Sequence, residues 1–222
     1  LGEGGNSKVY QITKEIVAIA RDYGKRHNLT DTMVFWGAYG ILLSKYSGNK
    51  NVLSSIVLKN RIHADTKDMA GMFVNTLPVY LSVNGTVTEY MHEAQALLLG
   101  LFEHQELPFA WVADAVGMTD KGVVNTSFVY QADGDKSINI NGQTLIPELV
   151  FTHTAKFDLM MELTPCEDGM KARLEYNCEK YDEALMDRLM DAYSRILLQL
   201  DKVNVADIEV MSSEEYHKVL EE

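Results

Sequence analysis

Histidine is the side chain best suited to move a proton or hold a metal near neutral pH. His27, His63, His92, His104, His153 and His217 are scattered, and no two of them are adjacent. His92-Glu93 begins like H-E-x-x-H, the pattern in which one helix face presents two zinc ligands and a base. The position of the second ligand is Ala96. Cys166 and Cys178 are too few for a disulfide framework or a four-ligand zinc site, and they read as inert thiols flanking a hairpin. No G-x-G-x-x-G or G-x-x-x-x-G-K-[ST] is present to cradle a phosphate, and no G-x-S-x-G to present a nucleophile. Asp158 lies in an alternating apolar stretch. It reads first as a solvent-facing or hydrogen-bonded strand residue, with an acid in a channel as the functional alternative. Trp36, Trp111 and the methionines, at helical spacing, read as core.

The elements that must position such groups follow from periodicity. Residues 8–13 form a strand that leads into a helix with Ile12, Ile16, Ile19 and Tyr23 at helical spacing. Thr30 caps a second helix, on which Val34, Ala38, Ile41 and Lys45 share a face beside Phe35, Tyr39 and Leu42. Gly48 marks a turn, 52–58 is a buried β-branched strand and 60–68 a polar loop. Residues 73–82 alternate, with Phe73, Asn75, Leu77, Val79 and Leu81 on one face, and Pro78 puts that strand at an edge or a bulge. Thr88 caps a helix striped by Met91, Ala94, Leu98 and Leu101. The triplet Leu107-Pro108-Phe109 breaks it, and a short helix with Trp111, Val112 and Val116 ends at Gly117. Strands follow at 126–131, 143–150, 156–164 and 170–177, the last with Ala172, Leu174 and Tyr176 opposite Lys171, Arg173 and Glu175. Asp182 caps a long helix carrying Leu185, Leu189, Ala192, Ile196 and Leu200. Ser212, three before Glu215, signals a short terminal helix. The fold class expected is α/β, a mixed β-sheet with packed helices. The elements do not repeat as βαβ, which argues against a doubly wound parallel sheet.

With 20 basic and 32 acidic residues the net charge is −12, the wrong sign for a nucleic-acid footprint. The apolar run 33–43 is half of the roughly 20 residues that span a bilayer, so no membrane segment is expected. No secretory leader is visible, and the reading is a reduced, cytoplasmic chain. The chain starts at Leu1 without an initiator Met, which suggests a piece of something longer.

Two segments carry more information than the rest. Ala70-Gly71-Met72-Phe73-Val74-Asn75-Thr76-Leu77-Pro78 is followed about thirty residues later by His104-Gln105-Glu106-Leu107-Pro108-Phe109. The pair resembles the G-x-F-V-N-T and H-Q-D-x-P-F motifs of nonribosomal peptide synthetase condensation domains. Leu42-Leu43-Ser44-Lys45-Tyr46-Ser47-Gly48, Arg61, Lys156-Phe157-Asp158-Leu159 and Leu174-Glu175-Tyr176-Asn177 resemble further family segments, and 208–220 resembles the linker toward an adenylation domain. Glu106 replaces the usual Asp, and 121–128 departs from the seventh family motif.

The resemblance implies a lobe similar to chloramphenicol acetyltransferase, the C-terminal lobe of a condensation domain, over 1–203, with 204–222 as linker. The H-H-x-x-x-D-G motif belongs to the N-terminal lobe, and this chain has no catalytic residue of its own and no activity alone. Gly71, Phe73, Val74, Asn75, Thr76, His104, Gln105, Pro108 and Phe109 become tunnel or structural residues, Lys59 and Arg61 candidates for carrier docking. The resemblance implies no directly bound cofactor and no metal. The substrates ride on the phosphopantetheine of upstream and downstream carrier proteins, and the other partners are the N-terminal lobe and the adenylation domain. The alternatives are a carrier-docking module without chemistry, and half of an epimerization or cyclization domain. A carrier-independent acyltransferase is disfavoured by the linker.

Overall fold

Strands form where apolar residues recur at every second position, and the neighbours of each strand are set by which face must be buried. The computed structural model describes residues 2–115, 124–132, 134, 138–145, 151–212 and 216. In chain order the elements are β1 (Gly2–Glu3), β2 (Gly5–Thr13), α1 (Lys14–Arg26), α2 (Asp31–Ser47), β3 (Asn51–Leu58), β4 (Asn75–Ser82), α3 (Val87–Glu103) and α4 (Phe109–Ala115). They continue with β5 (Thr126–Tyr130), β6 (Ile138–Ile140), β7 (Gln143–Leu145), β8 (Thr154–Ala155), β9 (Leu159–Cys166), β10 (Gly169–Asn177) and α5 (Glu183–Leu198). The main sheet has the order β2-β10-β9-β5-β3-β4. β5 runs parallel to β3 and to β9, and the remaining pairs are antiparallel. This is the mixed sheet with packed helices expected.

Register explains the core. Leu77, Ile56, Phe128, Met161, Leu174 and Lys8 stand opposite one another in turn, a row across all six strands. The five apolar members are buried beneath the helices. Lys8 ends the row at the edge, where its ammonium reaches Glu183 and Asp187 of α5, each at 2.7 Å. Pro78 lies on β4, the other edge strand, the kind of strand to which proline is confined within sheets.

α2 is the central helix, buried all round from Met33 to Leu42 rather than on one face. Tyr90 and Tyr193 donate hydrogen bonds to its Gly37 and Phe35 carbonyls at 2.9 and 2.8 Å. A Cβ on Gly40 would run into the Tyr90 hydroxyl and Leu81. The caps at Thr30 and Asp182 are as expected, their side chains accepting from the Met33 and Leu185 amides.

Several expectations are corrected. α3 is capped by Thr86, not Thr88, because Glu89 lies three residues on and closes a capping box. Ile19 is exposed; Ile12 belongs to β2, so the inward face of α1 is Val17, Ala20 and Tyr23. Trp111, expected in the core, is 66% exposed. Glu175, expected on the polar face, is buried by its bonds to the Lys156 amide and Arg173. Val116, Gly117 and residues 146–150 lie outside the described residues. So does most of the terminal helix, of which the Tyr216 amide donates to the Ser212 carbonyl at 2.9 Å. Val205 and Ile208 are part of the core, so the stretch after 203 starts out fastened to the lobe.

Candidate functional site

The two motifs meet in space through one side chain. Asn75 opens β4, and its Nδ2 donates to the Gln105 and Leu107 carbonyls, both at 2.8 Å. Its Oδ1 accepts from the Thr76 amide at 3.0 Å. A primary amide is the group that can hold two carbonyls while accepting one N–H, and all three roles are filled here. The loop it holds is the break between α3 and α4. His104 caps α3 through its amide, Gln105 Nε2 donates to the Phe102 carbonyl at 2.8 Å, and the Pro108 carbonyl accepts from the Trp111 amide at the start of α4. Phe109 begins that helix.

A second brace comes from the loop after β3. Arg61 donates to the carbonyls of Thr66, Met69 and Gly71, and its guanidinium lies 4.4 Å over the Phe73 ring. Gly71 packs against the same ring, and a Cβ there would stand 3.1 Å from it, so the ring would have to yield by a few tenths of an ångström. His63 Nε2 sits 3.2 Å from Glu106 Oε1, joining the two loops at the surface. The guanidinium of Arg61 is thus engaged within its own loop, and that loop is where Lys59 also sits. Around these braces Ile62, Met69, Met72, Val74, Leu107 and Trp111 are exposed, Met72 at 88%. Solvent-facing apolar side chains held by a rigid scaffold mark an interaction surface.

Beside the braces a groove of about 400 Å³ opens at the carboxyl ends of the parallel strands β3 and β5. Residues 56–62, Phe102, Gln105, Tyr130 and Thr32 line it. The Tyr130 hydroxyl donates to Asp31 Oδ2 at 3.2 Å, and the same oxygen accepts from Arg21 Nε at 2.7 Å. Burial, then the nearby Asp31 carboxylate, push the Tyr130 phenol up to about 12. The sequence reading missed Tyr130, Asp31 and Arg21. Their partners are 99 and 10 residues apart, and no local pattern announces such a contact.

Other candidates resolve more plainly. Asp158 is ion-paired to Lys180 at 2.7 Å, the hydrogen-bonded reading. Glu162, Arg173 and Glu175 form a cluster across β9 and β10 in which Glu162 also accepts from Gln131. The two cysteines are free thiols. Among the described residues no three His, Cys, Asp or Glu side chains gather in a metal-holding group, and no helix is long and apolar enough to cross a membrane.

The family model described as Condensation domain matches residues 5–220. Tyrocidine synthase 2 of Brevibacillus parabrevis is 28% identical over 225 residues, 97% of this chain and 6% of that protein. Malpinin synthetase of Mortierella alpina is 28% identical over 216 residues, 93% of this chain and 3% of that protein. The chain thus spans a small fraction of the relatives it matches. Among solved structures, the four-domain nonribosomal peptide synthetase AB3403, bound to AMP and glycine, superposes with a TM-score of 0.86 at 15% identity. The match covers 96% of this chain and 18% of that one. The first condensation domain of the CDA synthetase superposes at 0.77 and 15% identity, over 94% of this chain and 48% of that one. The X-domain from teicoplanin biosynthesis does so at 0.83 and 17% identity, over 94% and 50%.

Proposed function

Because the chain belongs to the condensation domain family, we propose that it forms one lobe of a domain that joins two carrier-tethered substrates through an amide bond. The single observation behind this is the family match across residues 5–220, which takes in both motif segments. In the proposed reaction the amine of an aminoacyl thioester attacks the carbonyl of an acyl or peptidyl thioester. A C–N bond forms, the C–S bond breaks, and the amine proton ends on the departing pantetheine thiol. Each substrate rides on the phosphopantetheine of a partner carrier, and the lobe itself binds no cofactor. Holding two tethered reactants at close approach lowers the barrier by making the encounter effectively intramolecular. Proton handling falls to the H-H-x-x-x-D-G lobe, since this chain has no adjacent histidine pair. The chain alone is therefore inactive.

In this reading Asn75 and Arg61 keep the two motif loops in one shape, so that Gly71, Phe73, Val74, Thr76, His104, Gln105, Pro108 and Phe109 form one side of the tunnel mouth. Lys59 and Arg61 contribute positive charge near the docking carrier. Residues 204–222 lead toward an adenylation domain, and the whole works in the cytoplasm. A second reading, a docking module without chemistry, has one observation in its favour: the likeness to the X-domain from teicoplanin biosynthesis, which has been solved in complex with OxyB. Loaded donor and acceptor carriers incubated with both lobes separate the two. Amide product supports condensation; carriers that bind and stay unjoined support the docking module.

A further inference from the structure

The two edges of the main sheet are finished differently. At β4 the Val83 amide donates to the Lys50 carbonyl, so the odd residues of that strand bond β3 and Pro78 turns its nitrogen outward. An edge lacking an N–H at its middle is a poor template for a further strand. At β2 the Cys178 amide donates to the Gly4 carbonyl, so the even residues bond β10 and Ser7, Val9 and Gln11 turn their backbone outward. β2 has no proline and no bulge, its nine residues pairing one to one with β10. Gly5, on the same outward side, is already used: its amide donates to the His153 carbonyl at 2.9 Å. The Ser7 amide donates to its neighbour Asn6 Oδ1 at 2.9 Å. The Val9 and Gln11 amides and carbonyls have no partner among the described residues. Lys8, the kind of charge that guards an edge, is spent on Glu183 and Asp187 of α5. Beside this edge a groove of about 440 Å³ separates β2 from α5, with Tyr10 and Met190 as its apolar surface and Asp187, Arg188 and Asp191 on its border. With Glu183 that sets three carboxylates against Lys8 and Arg188; Arg195 stands 3.9 Å from Asp191, beyond hydrogen-bond reach. On the opposite face of the edge Val9 is 58% exposed.

We infer that the β2 edge is a docking site for an extended basic segment of a partner protein, Lys or Arg alternating with β-branched residues, which adds to the sheet as an antiparallel strand. Val9 exchanges both backbone bonds with the residue opposite, whose side chain lies beside that of Val9 and is apolar. The alternate side chains turn to the other face, toward the groove, where Asp191 receives the basic group. A second copy of this chain fits less well. It carries the same net charge of −12 and brings the Glu183, Asp187 and Asp191 carboxylates of its own α5 to the shared edge. The inference is independent of the amide-forming reading.

The test is an NMR titration of the chain with the peptide acetyl-Thr-Lys-Val-Lys-Val-Lys-Thr-amide, with its Lys-to-Glu counterpart, and with two forms N-methylated at the Val or at the Lys nitrogens. The expected result is binding of the Lys peptide that shifts the Ser7, Val9 and Gln11 amides, with the Glu peptide far weaker. Methylation at Val removes binding, because those N–H groups face β2, and methylation at Lys leaves it. Val9→Pro weakens binding about tenfold or more while the melting temperature holds, since that N–H bonds nothing within the sheet. Asp191→Asn keeps the backbone intact and weakens the Lys peptide alone, about two- to fivefold. The inference is overturned if the Lys peptide shifts no amide of β2, if the Glu peptide binds as well, or if the two methylated forms bind alike. A folded Val9→Pro chain with unchanged affinity also overturns it. So does self-association without peptide that Val9→Pro abolishes, which would make a second copy the occupant of the edge.

Discussion

Asn75 shows how one side chain decides the shape of a site. It makes two 2.8 Å bonds to carbonyls of the α3–α4 loop, and removing it leaves both without their donor. Asn75→Ala is expected to cost about 1–3 kcal/mol and to lower the melting temperature, read by calorimetry. In the two-lobed protein the single-turnover rate should fall in step with stability, since the residue acts by holding the loop. A large rate loss at unchanged stability would instead make its amide a direct contact of the substrate. Glu89 offers a test through pH. Its bonds from the Thr86 hydroxyl and amide hold its carboxyl below the usual glutamate range. A depressed folded value means that the contribution is present above the unfolded value and lost as pH falls through the folded one. Wild type should therefore be more stable than Glu89→Gln near neutrality, and the two should converge below about pH 4. Denaturant titrations across pH 3–7 check it; a gap that stays constant with pH would contradict it.

At the scale of elements, α2 sets two rules against each other at Gly40. Alanine is the better helix former by about 1 kcal/mol. A methyl at that position meets Tyr90 and Leu81, and overpacking a filled core costs about 1–3 kcal/mol. Gly40→Ala is expected to destabilise, seen as a lower urea midpoint; a raised midpoint would show that Tyr90 swings aside freely. The elements also differ in how legible they are in the sequence. Alternation from 73 to 82 named the buried face of β4 correctly because one face alone is covered. Thr30 and Asp182 were readable as caps from their place before apolar runs. Thr86 was missed although Glu89, three residues on, was its signal. Ile12 misled because a strand residue and three helix residues happen to fall at helical intervals. The resemblance of the two motifs was legible, but not that Asn75 would join them. Nor was Arg61 legible as the brace of its own loop. Those contacts depend on how β3, β4 and the two loops come together, which residue types alone do not encode.

At the scale of the whole molecule, the chain covers 48% and 50% of two solved chains that share its fold, and the proposal that it is one lobe of a larger domain has a consequence for its surface. A half carries a face that its partner would cover. Ile62, Met69, Met72, Val74, Leu107 and Trp111 are exposed together around the motif loops. The isolated chain is expected to self-associate as its concentration rises, and Met72→Ser with Trp111→Ser to reduce this, by sedimentation velocity. A monomer throughout would mean that this face is not sticky enough to serve as an interface. The central claim, that the chain is one lobe of an amide-forming domain, is tested most directly by an omission series read by intact-protein mass spectrometry. Loaded donor and acceptor carriers are incubated with this chain, with the H-H-x-x-x-D-G lobe, and with both. The account predicts that the acceptor carrier gains the mass of the donor acyl group in the last mixture alone. Product from this chain by itself, or none from the two lobes together under conditions where they associate, would contradict it.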